Sequence, residues 1–441
     1  MQLVAYGAQD IYLTGNPQIT FFKVVYRRHT NFSMECISQT FDGTVGTGES
    51  SVSATIARNG DLIHSMHLDS VLTTATQSVA GGSYSNWTNN TGHAYLKEVE
   101  LEIGGQRIDK HYGHWLDVWN ELTDHDESEY IGLNKHKAKG AYLRSGAVGD
   151  SHHTTWQLFI PLKFWFCRNP GLALPLIALQ YHEVKVKCVF RALAALINSD
   201  STTAPTLSTA PTTTLWVDYI YLDTDERRRF AQQSHEYLIE QLQFEQNTAS
   251  GSTTLNLNHP VKELIWNIQQ PEAVAEYTTG TSATADNAFL NVAGASTTAG
   301  QGGNDYFNYE GTGSTASNWS TGGAVSSHSF DKVKLQLNGH DRFTERKAVY
   351  FNQVTPRQAG HRVPEKHIYV YSFALKPEEH QPSGTCNFSR IDNAVMEHSA
   401  HPARFAVDAA RDGRSAGLNF YAINYNVLRV MSGMGGLAYS N

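Results

Sequence analysis

The sequence predicts an all-β protein built from two similar halves, and three observations support this. Segments in which apolar and polar residues alternate recur along the chain, which is the pattern of strands with one buried face. Aromatic residues make up 11% of the chain and charged residues only 17%, a composition that can bury large cores and favours strands. One hairpin-like segment occurs twice, and 441 residues exceed one ordinary core but suit two domains of about 200 residues.

The repeated segment is a predicted β-hairpin in both copies. The first copy, LEIGGQRIDKHYGHW at residues 101–115, turns at Gly104-Gly105. The second copy, LQLNGHDRFTERKAVYF at residues 335–351, turns at Asn338-Gly339, a pair that favours a type I′ turn because both central residues then need positive φ. Adding 234 to the numbers of the first copy aligns its apolar positions and the glycine at 105 with those of the second. One aligned hairpin does not establish a duplication, but the order of the other segments repeats as well.

The N-terminal half is predicted to begin after an arm, residues 1–26. Two strands are predicted around Asn59-Gly60, followed by a polar loop at 73–92, the hairpin, and a helical or irregular stretch from His114. Three further strands are predicted in FIPLKFWF at 159–166, QYHEVKVKCVF at 180–190 and LWVDYIYLD at 215–223.

A linker at residues 224–236 precedes the second set of strands. Asp223 and Glu226 form a predicted capping box for a short helix, which places the Arg227–Arg229 cluster on a solvated face. Strands then follow in the same order, in YLIEQLQF at 237–244, TTLNLNHPVKELIWNIQQP at 253–271, the second hairpin, IYVYSFAL at 368–375, CNFSRIDNAVMEH at 386–398 and LNFYAINYNVLRVMSG at 418–433. An insertion at 273–327, rich in Gly, Thr, Ser, Ala and Asn, should lie on the surface because its composition cannot pack a core.

Many short antiparallel strands, long loops and no alternating helices indicate a sandwich or barrel in each half. The sequence therefore predicts an all-β fold of two tandem antiparallel eight-stranded jelly rolls, a double jelly roll with short helices and long loops. The first jelly roll is assigned to residues 27–223 and the second to residues 237–441.

The composition also argues against several classes of protein. The net charge of −8 disfavours a protein that coats nucleic acid, because phosphate binding needs clustered Lys and Arg. The four cysteines lie far apart without CxxC spacing or a signal peptide, which indicates free, mostly buried thiols. No apolar run reaches the length of a membrane span, which predicts a soluble chain.

No motif for catalysis, cofactor binding or a resident metal is recognised. His111 with His114, and His152 with His153, lack metal-site spacing and are interpreted as surface or loop histidines. SGMGG at residues 432–436 is not followed by a helix that could hold a phosphate, and DHDESE at 124–129 is a predicted solvated loop. The prediction is that the chain is not an enzyme, and only a site assembled from distant residues remains as an alternative.

Five asparagines fit the N-x-[ST] sequon, but the motif is common by chance. Without a signal peptide the sequons alone predict no glycosylation. They are Asn31, Asn86, Asn89, Asn318 and Asn387.

Several long segments resemble one known family. They are LVAYGAQDIYLTGNPQITFFK at 3–23, the first hairpin, GLALPLIALQYHEVK at 171–185, VDYIYLDTDERRRFAQ at 217–232, FALKPEEHQPSGTCNFSRIDN at 373–393 and YNVLRVMSGMGGLAYSN at 425–441. These segments closely resemble the major capsid proteins of large double-stranded DNA viruses that infect algae, above all chlorella viruses. The resemblance covers nearly the whole chain and weakens in the loops at 73–92, 199–214 and 273–327.

The resemblance implies a structural protein of the virion capsid, assembled in the host cytoplasm. Three copies would form a homotrimeric capsomer that looks hexagonal because each copy supplies two similar domains. Neighbouring capsomers and minor capsid proteins are the implied partners, with no direct contact to nucleic acid and no cofactor. The N-terminal arm would lie beneath the shell near an inner viral membrane. Tyr26, Arg27 and Arg28 suit contacts there, although a plain strand edge explains them equally.

The resemblance also implies covalent, virus-made glycans on loop asparagines outside the usual sequon. The context of small residues with Thr or Gly nearby points to Asn318 first, which also fits the sequon, and to Asn291 second, both in the insertion. The loop at residues 400–417 contains no asparagine, so late-loop sites of the family are missing here.

Two alternative functions follow from the same residues. The first is a carbohydrate-binding jelly-roll protein on the particle surface, in which Trp87, Trp319 and Tyr309 would stack on sugars. The second is a minor capsid paralogue at special positions of the shell, which the copy number per virion would distinguish.

Overall fold

A computed structural model describes residues 14, 16–20, 22–23, 29–73, 84–88, 90–124, 142–145, 155–199, 209–248, 251–269, 307, 309, 330–400 and 417–439. Strands predominate among these residues, and they pair antiparallel throughout. The predicted all-β fold is confirmed.

Eight strands of the N-terminal half form two facing sheets. Three smaller strands, β4 (Tyr84–Trp87), β7 (Tyr142–Ser145) and β11 (Ile197–Ser199), pair in a separate sheet, and β9 (Leu174–Pro175) extends one of the main sheets. The eight main strands are β1 (Phe32–Gln39), β2 (Ser50–Thr55), β3 (Leu62–Thr73), β5 (Leu96–Ile103), β6 (Gln106–Tyr112), β8 (Thr155–Pro161), β10 (Val184–Phe190) and β12 (Thr212–Leu222).

The C-terminal half is built in the same way. Short strands β19 (Cys386–Asn387) and β22 (Met434–Leu437) are added to one sheet. The eight main strands are β13 (His235–Thr248), β14 (Ser252–Thr254), β15 (Pro260–Gln269), β16 (Phe330–Leu337), β17 (His340–Lys347), β18 (Tyr369–Ser372), β20 (Ala394–Ala400) and β21 (Gly417–Met431).

The two halves have identical strand order. The N-terminal sheets run β1-β12-β3-β8 and β2-β10-β5-β6, and the C-terminal sheets run β13-β21-β15-β18 and β14-β20-β16-β17. When the main strands of each half are numbered one to eight along the chain, both halves therefore have the orders 1-8-3-6 and 2-7-4-5. This shared order is the double jelly roll that the sequence predicted.

The two repeated hairpins occupy the same place, as strands four and five of their halves. Gly104 and Gly105 have φ of 59° and 81°, and Asn338 and Gly339 have φ of 51° and 78°. Both central residues of each turn therefore have positive φ, as a type I′ turn requires.

Short α-helices lie between the strands, five of them in the described residues. Helix α4 begins after Asp223, whose carboxylate accepts a hydrogen bond from the backbone N–H of Thr224 at 2.7 Å. Asp223 is therefore the N-cap residue, although the predicted capping box would place this bond on the backbone N–H of Glu226. Trp165 and Phe166, the last two residues of the predicted strand at 159–166, instead begin helix α3, since strand β8 ends at Pro161. The helices are α1 (Thr91–Tyr95), α2 (Gly113–Thr123), α3 (Trp165–Arg168), α4 (Thr224–Gln232) and α5 (Thr355–Gln358). Within the described ranges, no helix is long and apolar enough to cross a membrane.

Two large apolar clusters hold the fold together. One lies between the sheets of the C-terminal half, around Trp266, Leu335 and Phe420. The other fills the N-terminal half and continues onto the C-terminal half, where it includes Ile265 and Tyr421. The two jelly rolls therefore share a continuous apolar interface, which fixes their relative orientation.

The structure corrects two predictions about side-chain exposure. Phe307 and Tyr309 of the insertion at 273–327 are buried in the core, because two aromatic side chains can anchor an otherwise polar segment. His111 is buried and His114 is half-buried, since the hairpin and helix that carry these histidines are covered by neighbouring elements of both halves.

The cysteines follow the prediction of free, mostly buried thiols. Cys188 is buried, and Cys167 and Cys386 are half-buried. Cys36 is the exception, because its thiol is exposed on strand β1.

Candidate functional site

The described residues contain no cluster of His, Cys, Asp or Glu that could hold a metal ion. Two features of the surface need an explanation. The first is the interface between the two halves, and the second is the pair of equivalent surfaces that lie on the outside of the chain. Both involve the sheet with strand order 1-8-3-6. Its outer face is defined here as the face that points away from the core of its own half.

Helix α2 of the N-terminal half lies against the C-terminal half through aromatic side chains. The rings of His114 and Phe244 are 4.9 Å apart, and those of Trp115 and Tyr421 are 5.3 Å apart. Trp119 meets His361 at 6.2 Å in an edge-on contact. These aromatic residues bury large apolar areas, so the packing of helix α2 holds the two jelly rolls together.

A buried ion pair crosses the same interface. Asp117 of helix α2 is fully buried, and its two carboxylate oxygens accept hydrogen bonds from Lys366 Nζ at 2.9 and 2.8 Å. Asn90 and Tyr309 donate to the same carboxylate at 2.8 and 3.0 Å. Donors from both halves surround the charge of Asp117. Removing any one member of this network would leave the remaining buried groups without a partner, which would lower the free energy of unfolding.

A second group of charges surrounds Glu240 of strand β13. Arg168 of the N-terminal half and the fully buried Lys262 of the C-terminal half each approach this carboxylate at 2.7 Å. The guanidinium of Arg168 also lies 4.6 Å from the ring centre of Trp119. The interface therefore combines ion pairing with aromatic contact.

His361 lies between two carboxylates behind this interface. Its Nε2 is 2.8 Å from Glu263 and its Nδ1 is 2.7 Å from Glu378. Burial by itself would lower the pKa of His361, but the two neighbouring carboxylates outweigh it and raise the pKa to about 9. The histidine is therefore a cation at neutral pH. In contrast, burial of the ring lowers the pKa of His114 to about 3 and keeps that ring neutral.

The glycine-rich segment at residues 432–436 has a packing role. Ser432 and Gly433 form the turn between β21 and β22, with φ of 51° and 79°. A Cβ on Gly433 would lie 2.5 Å from the Tyr181 ring, and a Cβ on Gly435 would lie 2.6 Å from Leu179. Only glycine allows this C-terminal hairpin to approach the N-terminal half so closely.

The outer face of the C-terminal half is covered by these contacts. Phe244, Tyr421, Ile265 and Val370 form one row across its four strands, in direct register. We call this row the covered row. Strand β15 is buried at every residue from Val261 to Ile268, so both of its faces are in contact with protein.

The outer face of the N-terminal half has no such cover in the described part of the chain. Ser38, Trp216, His67 and Pro161 form the matching row across its four strands. We call this row the open row. Ser38 is exposed and the other three are half-buried, while strand β3 alternates buried and half-buried residues.

A second open surface follows strand β17. Residues 348–358, which we call the exposed segment, occupy the place in the C-terminal half that helix α2 occupies in the N-terminal half. Val349 is 38% exposed and Val354 is 41% exposed, whereas Trp115 and Trp119 of helix α2 are buried. Strand β17 is exposed at every residue except the half-buried Phe343.

The sequence carries a signal for the covered face that the prediction did not use. Strands β15 and β21, ELIWNI and FYAINYNVL, read as nearly continuous apolar or amide runs, which indicates burial on both faces. The corresponding strands of the N-terminal half alternate. This difference in pattern distinguishes a covered sheet from an open one.

The residues predicted for carbohydrate contact or modification have different outcomes. Tyr309 is only 1% exposed and donates to Asp117, so it is not available to stack on a sugar. The carbohydrate-binding alternative therefore loses one of its three aromatic residues. The predicted positions that lie outside the described residues are Asn318, Asn291, Trp319, the side chain of Trp87, Tyr26, Arg27, Arg28 and the histidine pair at 152–153.

Comparison with protein families gives two adjoining matches that together span most of the chain. Residues 20–223 match the family described as major capsid protein N-terminus. Residues 226–436 match the family described as large eukaryotic DNA virus major capsid protein. The division between the matches falls at helix α4.

Individual relatives match the chain from end to end. The major capsid protein of Pyramimonas orientalis virus is 47% identical over 100% of this chain and 99% of its own. The major capsid protein of Paramecium bursaria Chlorella virus 1 is 44% identical, again over 100% of this chain and 99% of the relative. Among solved structures, the quasi-atomic model of the PBCV-1 virus capsid superposes with a TM-score of 0.74 and 41% identity, covering 96% of this chain and 100% of the other.

Proposed function

The chain belongs to the large eukaryotic DNA virus major capsid protein family, and from this premise we propose that three copies close head to tail into a pseudo-hexagonal capsomer. Its function is structural: it is a major capsid protein that self-assembles into the capsomers and lattice of a virus shell. The trimer is the finer part of the proposal.

One observation carries the trimer. Both halves have the same strand order, yet among the described residues one outer face is covered and its counterpart is open. A head-to-tail contact leaves one free surface of each kind on every copy, and a ring uses all of them when it closes. Three copies of a two-fold repeat give six similar units, which is the symmetry that a hexagonal lattice position accommodates.

Native mass spectrometry of the protein released gently from virions tests this proposal. We expect a main species with three times the chain mass. A species with the mass of a single chain, at concentrations where capsomers are handled, would contradict the trimer.

The partners beyond the trimer are proposed from the same family membership. Neighbouring capsomers would contact the sides of the trimer, and the arm at residues 1–26 would meet minor capsid proteins and the inner viral membrane beneath the shell. Removing residues 1–26 should leave the trimer intact and prevent shell closure. An arm-deleted protein that assembles complete particles would contradict this role.

Covalent glycosylation is proposed at Asn318 and Asn291. Both lie in the insertion that carries the most Gly, Ser and Thr, a composition suited to an exposed loop. Peptide mass spectrometry of virion protein should find added hexose-type mass on these asparagines, and unmodified peptides covering both would contradict the assignment.

The proposed location is the virion capsid, with assembly in the host cytoplasm and without direct contact to the genome. The net charge of −8 supports the last point, because a genome-binding surface needs excess positive charge. Whether the chain is the principal capsid protein or a paralogue at special positions is decided by its copy number per virion, and we propose the principal role.

A further inference from the structure

We propose that the exposed segment of one copy docks on the open row of the next copy, repeating between chains the contact that helix α2 makes with the covered row inside the chain. The inference rests on the proposed trimer and deepens it, because it names the two surfaces that meet. The occupant of each surface is a second copy of this chain.

The equivalence of the two helical segments follows from strand pairing. In the N-terminal hairpin Glu98 pairs with Tyr112, and in the C-terminal hairpin Lys332 pairs with Lys347. The residues that follow, Gly113 and Ala348, are therefore equivalent. Counting onward places Val349 at the position of His114, Tyr350 at that of Trp115 and Val354 at that of Trp119.

Buried positions support this alignment. Leu116 and Phe351 are equivalent, and each is fully buried in its own half. Asp117 and Asn352 are equivalent, and both are buried polar residues. The equivalents differ where helix α2 touches the other half: in the C-terminal segment Val349 and Val354 are exposed and Tyr350 is half-buried.

The equivalence of the two rows follows from a shared irregularity. Strand three of each half carries one extra residue relative to strand eight, after Ile63 in β3 and after Val261 in β15. Counting from these two residues places His67 with Ile265 and Trp216 with Tyr421.

The remaining two strands follow from the direct register across each sheet. Ser38 then corresponds to Phe244, and Pro161 to Val370. All four positions of the open row therefore have a covered equivalent.

The predicted contacts between copies are the images of those within the chain. His114 packs against Phe244 and Tyr421 inside the chain. Val349 of one copy should therefore lie against Ser38 and Trp216 of the next.

Charge favours the same pairing. Exposed Arg346, Lys347 and Arg357 lie on or beside the exposed segment. Asp69 and Asp218 lie, half-buried, on the outer face that carries the open row. A basic surface and an acidic surface that meet head to tail attract each other, whereas two copies of either surface would repel.

Two variants test the docking in the full chain. Val354→Asp and Ser38→Arg each place a charge at an exposed position, so folding should be unchanged, as thermal unfolding would verify. Sedimentation velocity should show trimer association weakened about 100-fold or more, because each variant places a charge of the opposite sign on its own surface, which lowers the charge complementarity and adds a charge that the contact would bury. The matched control is Leu375→Asp, which alters a 77% exposed leucine outside both surfaces and should leave the trimer intact.

The results of these experiments distinguish a failure of the proposed docking surfaces from a failure of the proposed trimer. A wild-type trimer that both variants leave unchanged overturns the docking while the trimer stands. Equal loss in the control overturns the assignment of surfaces, and a wild-type chain that is monomeric overturns both proposals.

A cysteine pair gives a second measurement. Ser38→Cys with Val349→Cys, in a chain where the exposed Cys36 is replaced by serine, should form disulfide-linked dimers and trimers on mild oxidation with diamide. The pair Ser38→Cys with Leu375→Cys should remain uncrosslinked. Crosslinking of the control alone would contradict the docking.

Discussion

The two jelly rolls share a strand order but differ in what covers them. In the C-terminal half, strands three and eight are buried on both faces along most of their length. In the N-terminal half, the same strands alternate between buried and half-buried residues. The difference shows that each half sets its own topology, whereas the burial of its outer face depends on which other elements lie against it.

The two halves also differ in the residues of the helical segment that follows strand five. Helix α2 carries tryptophans and an aspartate that are buried by the C-terminal half. Its equivalent carries Tyr350, Asn352 and Val354 at these positions, and Val354 stays at the surface while Tyr350 is half-buried. A permanent interface within one chain can use buried charge and large aromatic residues. A contact between separate chains is exposed to water before assembly, so its surface cannot carry a large apolar patch.

The largest expected effect comes from the ion pair that crosses the covered interface. Asp117→Ala should lower the free energy of unfolding by roughly 3–5 kcal/mol, because Lys366 loses its buried counter-charge. Urea unfolding followed by tryptophan fluorescence measures it.

The control for that change is Asn352→Ala, at the equivalent position of the C-terminal half. Asn352 donates to the backbone carbonyls of Lys366 and Ile368, at 3.0 and 2.9 Å. Its loss should cost about 1–3 kcal/mol. Equal costs at the two positions would mean that the ion pair adds nothing to the interface.

A smaller contrast concerns the first residue of the same helical segments. A Cβ on Gly113 would overlap the carbonyl oxygens of His93 and Leu96, whereas its equivalent is the buried Ala348. Gly113→Ala should cost about 3 kcal/mol through this overlap.

The reverse change, Ala348→Gly, should cost only about 1 kcal/mol through lost helix propensity. Thermal unfolding compares the two variants. A tolerated alanine at Gly113 would show that helix α2 can move away from helix α1, and would contradict a fixed position of helix α2.

The two histidines on opposite sides of the interface predict opposite pH responses. His361 has a raised pKa, so its stabilisation is complete below its unfolded value near 6.5 and is lost as pH rises through about 9. At about pH 6, His361→Gln should be roughly 2–3 kcal/mol less stable than wild type, and the gap should close at about pH 10.

His114 has a lowered pKa, so it contributes full stability above pH 6.5 and loses it as pH falls toward 3. The His114→Val variant copies the residue of the C-terminal half and should therefore resist acid better than wild type. Urea unfolding across pH checks both histidines, and identical pH profiles for wild type and variant would refute the assigned charge states.

The smallest effect is expected where the halves are alike. Gly105 and Gly339 both have positive φ, and at both positions an added Cβ would meet no atom within 4 Å. Replacing either with alanine should cost about 1 kcal/mol, since only the backbone conformation is penalised. Gly48→Ala, with the same open space and no positive φ, is the control and should change little. Unequal costs at the two turns would show that the hairpins are not equivalent.

The strands and the hairpins could be predicted because they depend on local patterns, whereas the strand order within each sheet depends on pairing between distant segments. Alternating residues with Gly104-Gly105 or Asn338-Gly339 dictate a strand, a turn and a partner strand without information from elsewhere in the chain. Burial of Tyr309 and helix α2 could not be predicted in this way, since it depends on contacts with residues more than a hundred positions away. The family resemblance implied the assembly, but the surfaces proposed to meet in it emerge only when the two halves are compared.

A cryo-EM map of the assembled capsomer, resolving side chains at the contact between copies, tests the repeated interface most directly. We predict that Val349 of one copy contacts Trp216 and Ser38 of the next, in the arrangement that His114 makes with Tyr421 and Phe244 inside the chain. A map in which the open row faces solvent, or meets any element other than the exposed segment, would contradict the claim that the chain repeats its internal interface to build the shell.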